Sequence, residues 1–383
     1  MTDAQPAPTA VAGEEVSRAQ ATFDWLRRSD NVRTYVPLII AIAAMCVYGA
    51  TSSGNFLTGR NIRVLLDSVA VLGLLTVGMT LLLVTGLLDL SVGAGAALSA
   101  IIAAKIITGG GSDTLAVILM LIVPMAIGFT VGATVVLTGV QPFILTLGLL
   151  SVLQATSLIA TGQRPVPVGF HLSAIESNNV IGSTVPLSFV FLVGALVTGS
   201  LILRFTRLGR DAYAIGSNER AAFLSGVPIG RVKVTLFCLS GLLVGLAGLL
   251  LLSSLGAGDP ASGTGLELQA IAAAVIGGCS LAGGRGTMLG SFLGVMLLGV
   301  IQNALTLVNV SSFYQQLVLG GLLIFAVTAT AIAEKRRGSP KSLQQVIRQL
   351  FGRTRRSTVD REAAAEHLAR EGAGERLQTV DKR

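Results

Sequence analysis

The sequence predicts an all-α integral membrane protein that crosses a lipid bilayer about ten times. Hydrophobic residues make up 52% of the chain and charged residues 13%, against about 25% charged residues in a soluble domain. The mean hydropathy is +0.74, and the long apolar runs are rich in Leu, Ala and Gly without the alternation of barrel strands. Because hydrocarbon leaves backbone polar groups to be satisfied internally, these runs predict spanning helices.

The chain begins with a polar arm, residues 1–33, which is rich in Ala, Pro and Glu and ends in arginines. The first long apolar run starts near Tyr35 and lacks the flanks of a cleavable signal peptide. We expect the arm to be disordered and cytoplasmic.

Ten apolar segments follow and define a predicted transmembrane domain at residues 34–333. They are Tyr35–Ala50, Ile62–Thr85, Ser91–Ile107, Leu115–Leu137, Pro142–Ala160, Pro186–Phe205, Val232–Leu255, Glu267–Cys279, Thr287–Leu307 and Tyr314–Ile332. Glycines recur at four-residue spacing in several segments, as in Gly128/Gly132, Gly241/Gly245 and Gly290/Gly294. Such pairs let helices approach closely, and we interpret them as packing positions.

The distribution of Lys and Arg predicts the orientation. The arginines of the arm, five cations in the loop 206–233 and thirteen cations after residue 334 all fall on one side if the chain crosses ten times. The opposite loops hold only Arg60, Arg63 and Arg164. Both termini are therefore expected in the cytoplasm and the protein in the cytoplasmic membrane.

Two of the predicted segments are short. The eighth has 13 residues, which as a helix covers about 20 Å of a roughly 30 Å hydrocarbon core, and glycines flank it. The third opens after the polar interruption Asp89-Leu90-Ser91. If segments two to five and seven to ten form an inverted repeat, these two correspond, and paired broken segments point to a translocation site. Ordinary interfacial helix ends are the alternative.

The basic tail, residues 334–383, is charged and polar. Residues 335–383 hold 13 Lys/Arg and 6 Asp/Glu, which accounts for most of the chain's net charge of +8. Apolar residues at helical spacing predict a short amphipathic helix near residues 342–351 on the inner leaflet, with packing against a cytosolic partner as the alternative. Anionic lipid explains the charge without nucleic acid.

No motif supports catalysis. Gly278 to Gly283 has the two glycines of a phosphate-binding loop, but Gly284-Arg285 stands where Lys-Ser/Thr is required. The three cysteines lie in apolar runs and there are only two histidines, so we expect neither a metal site nor a directly bound cofactor.

The loop 206–233 has the signals of a short, rigid helix. Asn218 or Ser217 can cap it, Glu219 suits its first turn, and Gly226 with Pro228 stops it. A soluble partner could push such a helix. A loop that is merely rich in cations is the alternative.

Here the sequence resembles the permease subunits of ribose/xylose-type ABC sugar importers, which belong to a superfamily shared with branched-chain amino acid permeases. Ala221-Ala222-x-x-x-Gly226 resembles the "EAA…G" loop that docks the ATPase, although Arg220 replaces the usual Glu. Three further motifs cover the resemblance over residues 60–333: Thr85–Gly93 is similar to "TGGIDLSVG", Val140–Gly148 matches "VQPFIxTLG", and Gly263–Ala273 with Ser280–Gly286 is similar to "GxGYELDAIAA…SLxGGRG". Leu87, Leu266 and Gln269 depart from these patterns.

The resemblance implies a second permease copy, a cytosolic ATPase pair that binds ATP-Mg, and an extracytoplasmic sugar-binding protein. It implies ATPase coupling by the following residues: Arg207, Gly209, Arg210, Asn218, Glu219, Arg220, Ala221, Ala222 and Gly226.

The candidates for the translocation pathway are Asp89, Ser91, Gln141, Phe143, Thr146, Glu267 and Gln269. Asp89 either caps a helix or faces a polar cavity, because a carboxylate at mid-membrane should face the bundle interior. Gln141 and Thr146 could bind sugar hydroxyls or serve at a helix start. Glu267 is a helix-start charge or a contact to sugar or binding protein.

Three other functions compete with the sugar importer. An ABC permease for branched-chain amino acids or nucleosides is the nearest. A proton- or sodium-driven sugar carrier would need coupled carboxylates, for which Asp67 and Asp89 are the acidic candidates. A membrane scaffold without transport activity would leave the broken segments unexplained.

Overall fold

The structure is a computed structural model that describes residues 30–169, 179–181 and 185–338. The helices are α1 (Asp30–Ser52), α2 (Gly59–Val84), α3 (Val92–Thr108), α4 (Asp113–Thr138), α5 (Pro142–Thr161), α6 (Leu187–Phe205), α7 (Arg207–Ser217), α8 (Glu219–Leu224), α9 (Ile229–Leu255), α10 (Leu266–Ile276), α11 (Met288–Leu307) and α12 (Ser312–Gly338). Each of the ten predicted segments coincides with one helix, and α7 and α8 lie in the predicted loop.

Among the described residues, seven helices are long and apolar enough to cross a membrane, namely α1, α2, α4, α5, α6, α9 and α11. Three shorter apolar helices accompany them: α3, α10 and the first part of α12, Ser312–Thr328. A multi-pass helical membrane protein is thus confirmed, whereas the number of ten crossings stays a prediction.

The helix α2 is the centre of the fold. Thr58 caps it by accepting a hydrogen bond from the Asn61 N–H, and every residue from Val69 to Val84 is buried. A helix that is apolar and buried on all sides belongs in the interior of a bundle. The helices α6, α9, α10 and α11 surround it, so any movement of α2 must involve them.

The predicted glycine pairs are packing positions. Gly128/Gly132 and Gly241/Gly245 interlock α4 with α9, and Gly290/Gly294 set α11 against α10. A Cβ at Gly241 would collide with the carbonyl oxygen of Pro124, and one at Gly245 would lie 2.6 Å from that of Met120. Glycine therefore lets these backbones touch, and this close approach confirms the packing interpretation.

Within the described residues, the structure has four short strands that the all-α prediction did not include. β1 (Val166–Pro167) pairs antiparallel with β4 (Ala257–Gly258), and β2 (Asn179–Ile181) pairs with β3 (Val185–Pro186). The Val168 N–H donates to the Gly256 carbonyl oxygen over 2.9 Å. These pairings satisfy backbone groups of the connectors that follow α5 and α9.

The eighth apolar segment ends earlier than predicted. The helix α10 stops at Ile276 and not at Cys279, because Gly278 and three later glycines have positive φ angles that end the helix. The chain divides into two compact units, residues 1–327 and 328–383. The described part of the second unit, residues 328–338, is helical. The predicted arm up to residue 29 and the amphipathic helix near 342–351 lie outside the described residues.

Candidate functional site

The first break in the bundle separates α2 from α3. Here Asp89 Oδ1 accepts hydrogen bonds from the Ser91 N–H at 2.8 Å and from the Ser91 hydroxyl at 2.6 Å. Both residues are buried. A side-chain carboxylate that binds the backbone N–H two residues later is a local turn that competes with helix. The Asp-x-Ser sequence therefore favours a turn before α3, whose N-cap residue is Ser91 and not Asp89.

A side chain from α5 fixes the same break. Thr146 Oγ1 accepts a hydrogen bond from the Leu90 N–H at 3.1 Å and donates to the Pro142 carbonyl oxygen at 2.9 Å. Thr146 is fully buried. Since an unpaired buried N–H is costly, Thr146 holds the non-helical backbone in place.

The second break, residues 256–265, meets the first. A Cβ at Gly93 would collide with both the Glu267 carboxylate and the Gly263 carbonyl oxygen, and one at Gly263 would collide with the Gly93 carbonyl. The start of α3 and the start of α10 thus touch through two glycines, beside the buried Glu267. Four of the predicted pathway residues therefore lie around this meeting point, either in direct contact or through an adjacent residue: Asp89, Ser91, Thr146 and Glu267.

The other three predicted pathway residues have more open positions. Gln141 occupies the N-cap position of α5 without a capping side-chain bond, and both Gln141 and Phe143 are exposed. Gln269 is half-buried on α10 and lines a cavity with residues of α11 and α12. Contact with a transported solute stays a prediction for all seven residues.

The predicted coupling loop folds into two capped helices. Thr206 Oγ1 accepts from the Gly209 N–H at 3.2 Å at the start of α7, and Asn218 Oδ1 accepts from the Ala221 N–H at 3.0 Å at the start of α8. Glu219 pairs with Lys233 of α9 at 2.7 Å. Gly226, with φ +82°, ends the unit. Asn218, and not Ser217, is therefore the cap, while α7 was not predicted.

The outer surface of this unit is basic and apolar. Arg207, Arg210 and Arg220 are exposed, Ala221 is exposed and Ala222 is buried. Phe223 is 67% and Leu224 78% exposed. Sequence reasoning missed Phe223 and Leu224, although two large apolar residues next to the Ala-Ala pair were a usable signal.

Behind α7 lie four glycines that we name the glycine junction: Gly86, Gly216, Gly283 and Gly284. A Cβ at Gly216 would collide with the carbonyl oxygen of Val84, the last residue of α2, and with the Gly284 N–H. The Gly284 N–H donates to the same Val84 oxygen at 2.8 Å. The end of α7 is therefore in backbone contact with both the first break and the loop after α10.

Two tyrosines meet beside the glycine junction. The Tyr213 hydroxyl of α7 donates to the Gly286 carbonyl oxygen at 2.7 Å, and the Tyr35 hydroxyl of α1 lies 2.6 Å from Thr287 Oγ1. Thr287 in turn caps α11. Burial raises the pKa of Tyr213 above its ordinary value, with smaller contributions from Cys279 and Tyr35. Tyr213 thus remains a hydrogen-bond donor at neutral pH.

Comparison with known proteins places this geometry in a family. A family model described as "Branched-chain amino acid transport system / permease component" matches residues 61–327. The chain is 38% identical over 293 residues to "Ribose import permease protein RbsC" of Escherichia coli (strain K12), covering 76% of this chain and 91% of the relative. No match to a solved structure was found.

Two further relatives carry the names of other sugars. "L-arabinose ABC transporter permease protein AraH" of Azospirillum brasilense is 34% identical over 323 residues, with 84% of this chain and 92% of the relative covered. "D-allose transport system permease protein AlsC" of Escherichia coli (strain K12) is 36% identical over 309 residues, with 80% and 93% covered. The chain therefore belongs to the branched-chain amino acid transport system / permease component family, among the permeases of ABC sugar importers.

Proposed function

We propose that the chain is the transmembrane permease subunit of an ATP-binding-cassette importer that moves a monosaccharide across the cytoplasmic membrane by alternating access. A second permease copy completes the conduit. A cytosolic ATPase binds and hydrolyses ATP-Mg, and an extracytoplasmic binding protein delivers the sugar. The names of the ribose, arabinose and allose relatives support the substrate class.

The observation that carries the proposal is the exposed end of α8. Phe223 and Leu224 are large, exposed apolar side chains on a short capped helix, and the same α7–α8 unit exposes Arg207, Arg210 and Arg220. A compact apolar centre with a polar rim is the usual anatomy of a protein–protein contact. With the α7–α8 unit on the cytoplasmic side, this surface is the docking site for the ATPase.

Movement of the ATPase would reach the pathway through backbone contact. Because Gly216 has no side chain, α7 rests directly on the end of α2 and on the loop after α10. Protein interiors are close-packed and transmit displacement. A shift of α7 would therefore displace the two breaks that meet at Gly93 and Gly263.

The meeting point of the two breaks lies deep in the bundle. With the loop after α10 at the cytoplasmic face, the rise of about 14 Å between Ile276 and Glu267, at 1.5 Å per residue, places Glu267 near the middle of a roughly 30 Å hydrocarbon core. A buried carboxylate at this depth faces the bundle interior and not lipid. We assign Asp89, Ser91, Thr146 and Glu267 to the moving wall of the pathway, with Gln141 and Phe143 near its inner end.

The orientation and the repeat are part of the proposal. Ten crossings place the arm, the α7–α8 unit and the tail from residue 334 in the cytoplasm, as the positive-inside rule requires. In each half a long helix is followed by a break and a short helix: α2 then α3, and α9 then α10. This order supports an inverted repeat of helices two to five and seven to ten.

The two acidic residues that the sequence offers as candidates for ion coupling, Asp67 and Asp89, are engaged by other side chains. The Ser188 hydroxyl donates to Asp67, and Arg63 lies 3.9 Å from the Asp67 carboxylate. Asp89 is bound by Ser91. A carboxylate that cycles protons or sodium must release its partners in each cycle, so these bonds favour an ATP-driven importer.

The test is uptake of radiolabelled D-ribose, L-arabinose and D-allose by proteoliposomes that contain the complete transporter. We expect uptake of one sugar that requires ATP and survives a protonophore. Uptake that collapses with the protonophore while ATP stays high would exclude the ABC importer. In the same proteoliposomes, we expect the double variant F223A/L224A not to retain the ATPase subunit. The control F313A, which removes an 82% exposed aromatic residue of α12, should retain it.

A further inference from the structure

A cavity of about 280 Å³ lies between α10, α11 and α12. Its lining contains three polar side chains, those of Thr264, Gln269 and Gln316, among leucines, glycines and an alanine. Cavities that hold drug-sized ligands occupy about 300–1,000 Å³. The smaller volume here suits a ligand of one sugar ring.

The polar side chains of this cavity are not engaged by the protein. Among the described residues, none makes a hydrogen bond to the side chains of Thr264, Gln269 or Gln316. Gln269 lies seven residues before the end of α10 at Ile276, or about 10 Å along the helix. Gln269 is half-buried and Thr264 and Gln316 are exposed, so all three side chains can bind water or a hydroxylated ligand without first giving up a bond to the protein.

The lining also excludes other classes of ligand. None of its ten residues is charged and none is aromatic. A zwitterionic amino acid would require opposite charges, and a nucleobase favours an aromatic surface for stacking. Neutral hydroxyl groups match glutamine amides, which donate and accept at once. The ligand chemistry is therefore a neutral polyol ring.

Two larger cavities lack this character. One of about 370 Å³ lies between α2, α6 and α9, and one of about 380 Å³ lies between α4 and α5. Apart from threonines, their linings are apolar. Such surfaces suit acyl chains, whereas the cavity at Gln269 combines apolar walls with convergent polar groups.

The helix α10 connects this cavity to the meeting point of the breaks. Glu267 points to Gly93 of α3, while Gln269, two residues later, lines the cavity on another face of the same helix. Any displacement of α10 that opens the breaks must therefore change the shape of the cavity. A site whose shape follows the transport cycle can release its ligand.

We propose that the cavity between α10, α11 and α12 is a weak binding site for the monosaccharide during import, with Gln269, Gln316 and Thr264 as its hydrogen-bonding groups. This inference rests on the proposed function. The inferred site includes Gln316 of α12, which no sequence motif indicated. It assigns the recognition of sugar hydroxyl groups mainly to the amide side chains of Gln269 and Gln316.

The neighbouring glycines Gly320 and Gly321 permit a matched experiment. Both lie on α12 with open space where a Cβ would stand, and only Gly320 lines the cavity. G320L adds a branched side chain at a residue that lines the cavity, and G321L makes the same change at a neighbouring residue that does not line it. We expect G320L to reduce the initial uptake rate of the transported sugar roughly tenfold or more, while G321L stays near wild type and both keep ATP hydrolysis.

The double variant Q269L/Q316L removes the amides, and Q302L is its control on an exposed position of α11. Two lost hydrogen bonds predict a reduction in uptake of roughly tenfold or more. If the transported sugar is D-ribose, Q269L should also discriminate less between D-ribose and 2-deoxy-D-ribose. A purely structural defect would lower both rates equally and overturn the assignment.

The outcomes separate the two proposals. If wild type imports a sugar and G320L and Q269L/Q316L import it at the same rate, the cavity is not part of the route, while the importer function stands. If wild type imports none of the sugars with ATP, the proposed function is wrong, and the inference that rests on it is wrong as well. A lipid headgroup in the cavity would instead leave uptake unchanged and give wild type a thermal stabilisation by phosphatidylglycerol that Q269L/Q316L lacks, which also overturns the inference.

Discussion

The hydroxyl of Tyr213 donates a 2.7 Å hydrogen bond to the carbonyl oxygen of Gly286, 73 residues further along the chain. Tyr213 belongs to α7, and Gly286 closes the glycine-rich loop between α10 and α11. The next residue, Thr287, contacts Tyr35 of α1. A single loop thus receives contacts from the first helix of the bundle and from the unit that we assign to ATPase docking.

The contact of Tyr213 predicts a pH-dependent stability. Burial raises its pKa, so its stabilising contribution is fully present below the ordinary tyrosine pKa of about 10 and is lost as the pH rises through the higher folded-state pKa. Thermal unfolding from pH 8 to 11 should show wild type more stable than Y213F at pH 8, with a gap that closes at high pH. Y314F, which changes an exposed tyrosine of α12, should show no such trend. A gap that is absent at pH 8 would contradict the contact.

A side chain at position 216 should push α7 away from the end of α2. A Cβ there would strike the Val84 carbonyl and the Gly284 N–H, and overpacking of this kind costs about 1–3 kcal/mol. We expect G216A to lower the thermal midpoint and to reduce sugar uptake more than it reduces ATP hydrolysis. The control is G194A in α6, where the added Cβ meets open space. Equal behaviour of the two variants would exclude direct backbone contact at the glycine junction.

Ten helices could be predicted from the sequence because each is an apolar run with glycine or polar residues at its ends, and α8 could be predicted from its capping residues. The exception is α7, which lies in a polar loop. Leu208, Ala212 and Ile215 recur at helical spacing and are all partly or fully buried in α7, so that periodicity was a missed signal. The end of α10 was placed three residues too late because apolar Cys279 continues the run past Gly277 and Gly278.

The candidate site could be predicted only where its contacts are local. Asp89 binds Ser91 two residues away, and an Asp-x-Ser interruption is legible in the sequence. The contact between Gly93 and Gly263 joins residues 170 positions apart, and no local pattern specifies it. The same holds for a buried cluster in which the Thr80 hydroxyl donates to Ser291 at 2.7 Å. Long-range contacts follow from packing, which the sequence alone does not express.

Removal of the Thr146 hydroxyl should lower the stability of the protein, and a substitution that keeps the hydroxyl should not. T146V keeps the shape but leaves the Leu90 N–H, bound at 3.1 Å, without its acceptor. The expected cost is about 1–3 kcal/mol, measured as a shift in the denaturation midpoint in detergent. T146S keeps the hydroxyl and should recover most of the loss. If T146V and T146S are equally stable, the hydroxyl does not hold the first break.

A reciprocal amide pair joins α2 and α11 at the end away from α7. Asn61 and Asn303 each donate from Nδ2 to the other's Oδ1 at 2.9 Å, and Asn61 Nδ2 also donates to the Phe56 carbonyl oxygen at 2.9 Å. Polar contacts between membrane helices contribute about 0.5–2 kcal/mol. N303L should therefore destabilise the chain by about this amount, because it leaves the Asn61 amide without its partner.

The double variant N61L/N303L tests whether the two amides act as a pair. With both amides removed, no unpaired partner is left, so the double variant should lose less stability than the two single variants together. Q302L, one residue before Asn303 and exposed, controls for the added leucine. Strict additivity in thermal unfolding would mean that the two residues act independently. A coupling energy different from zero would show that the reciprocal amide pair itself holds α2 against α11.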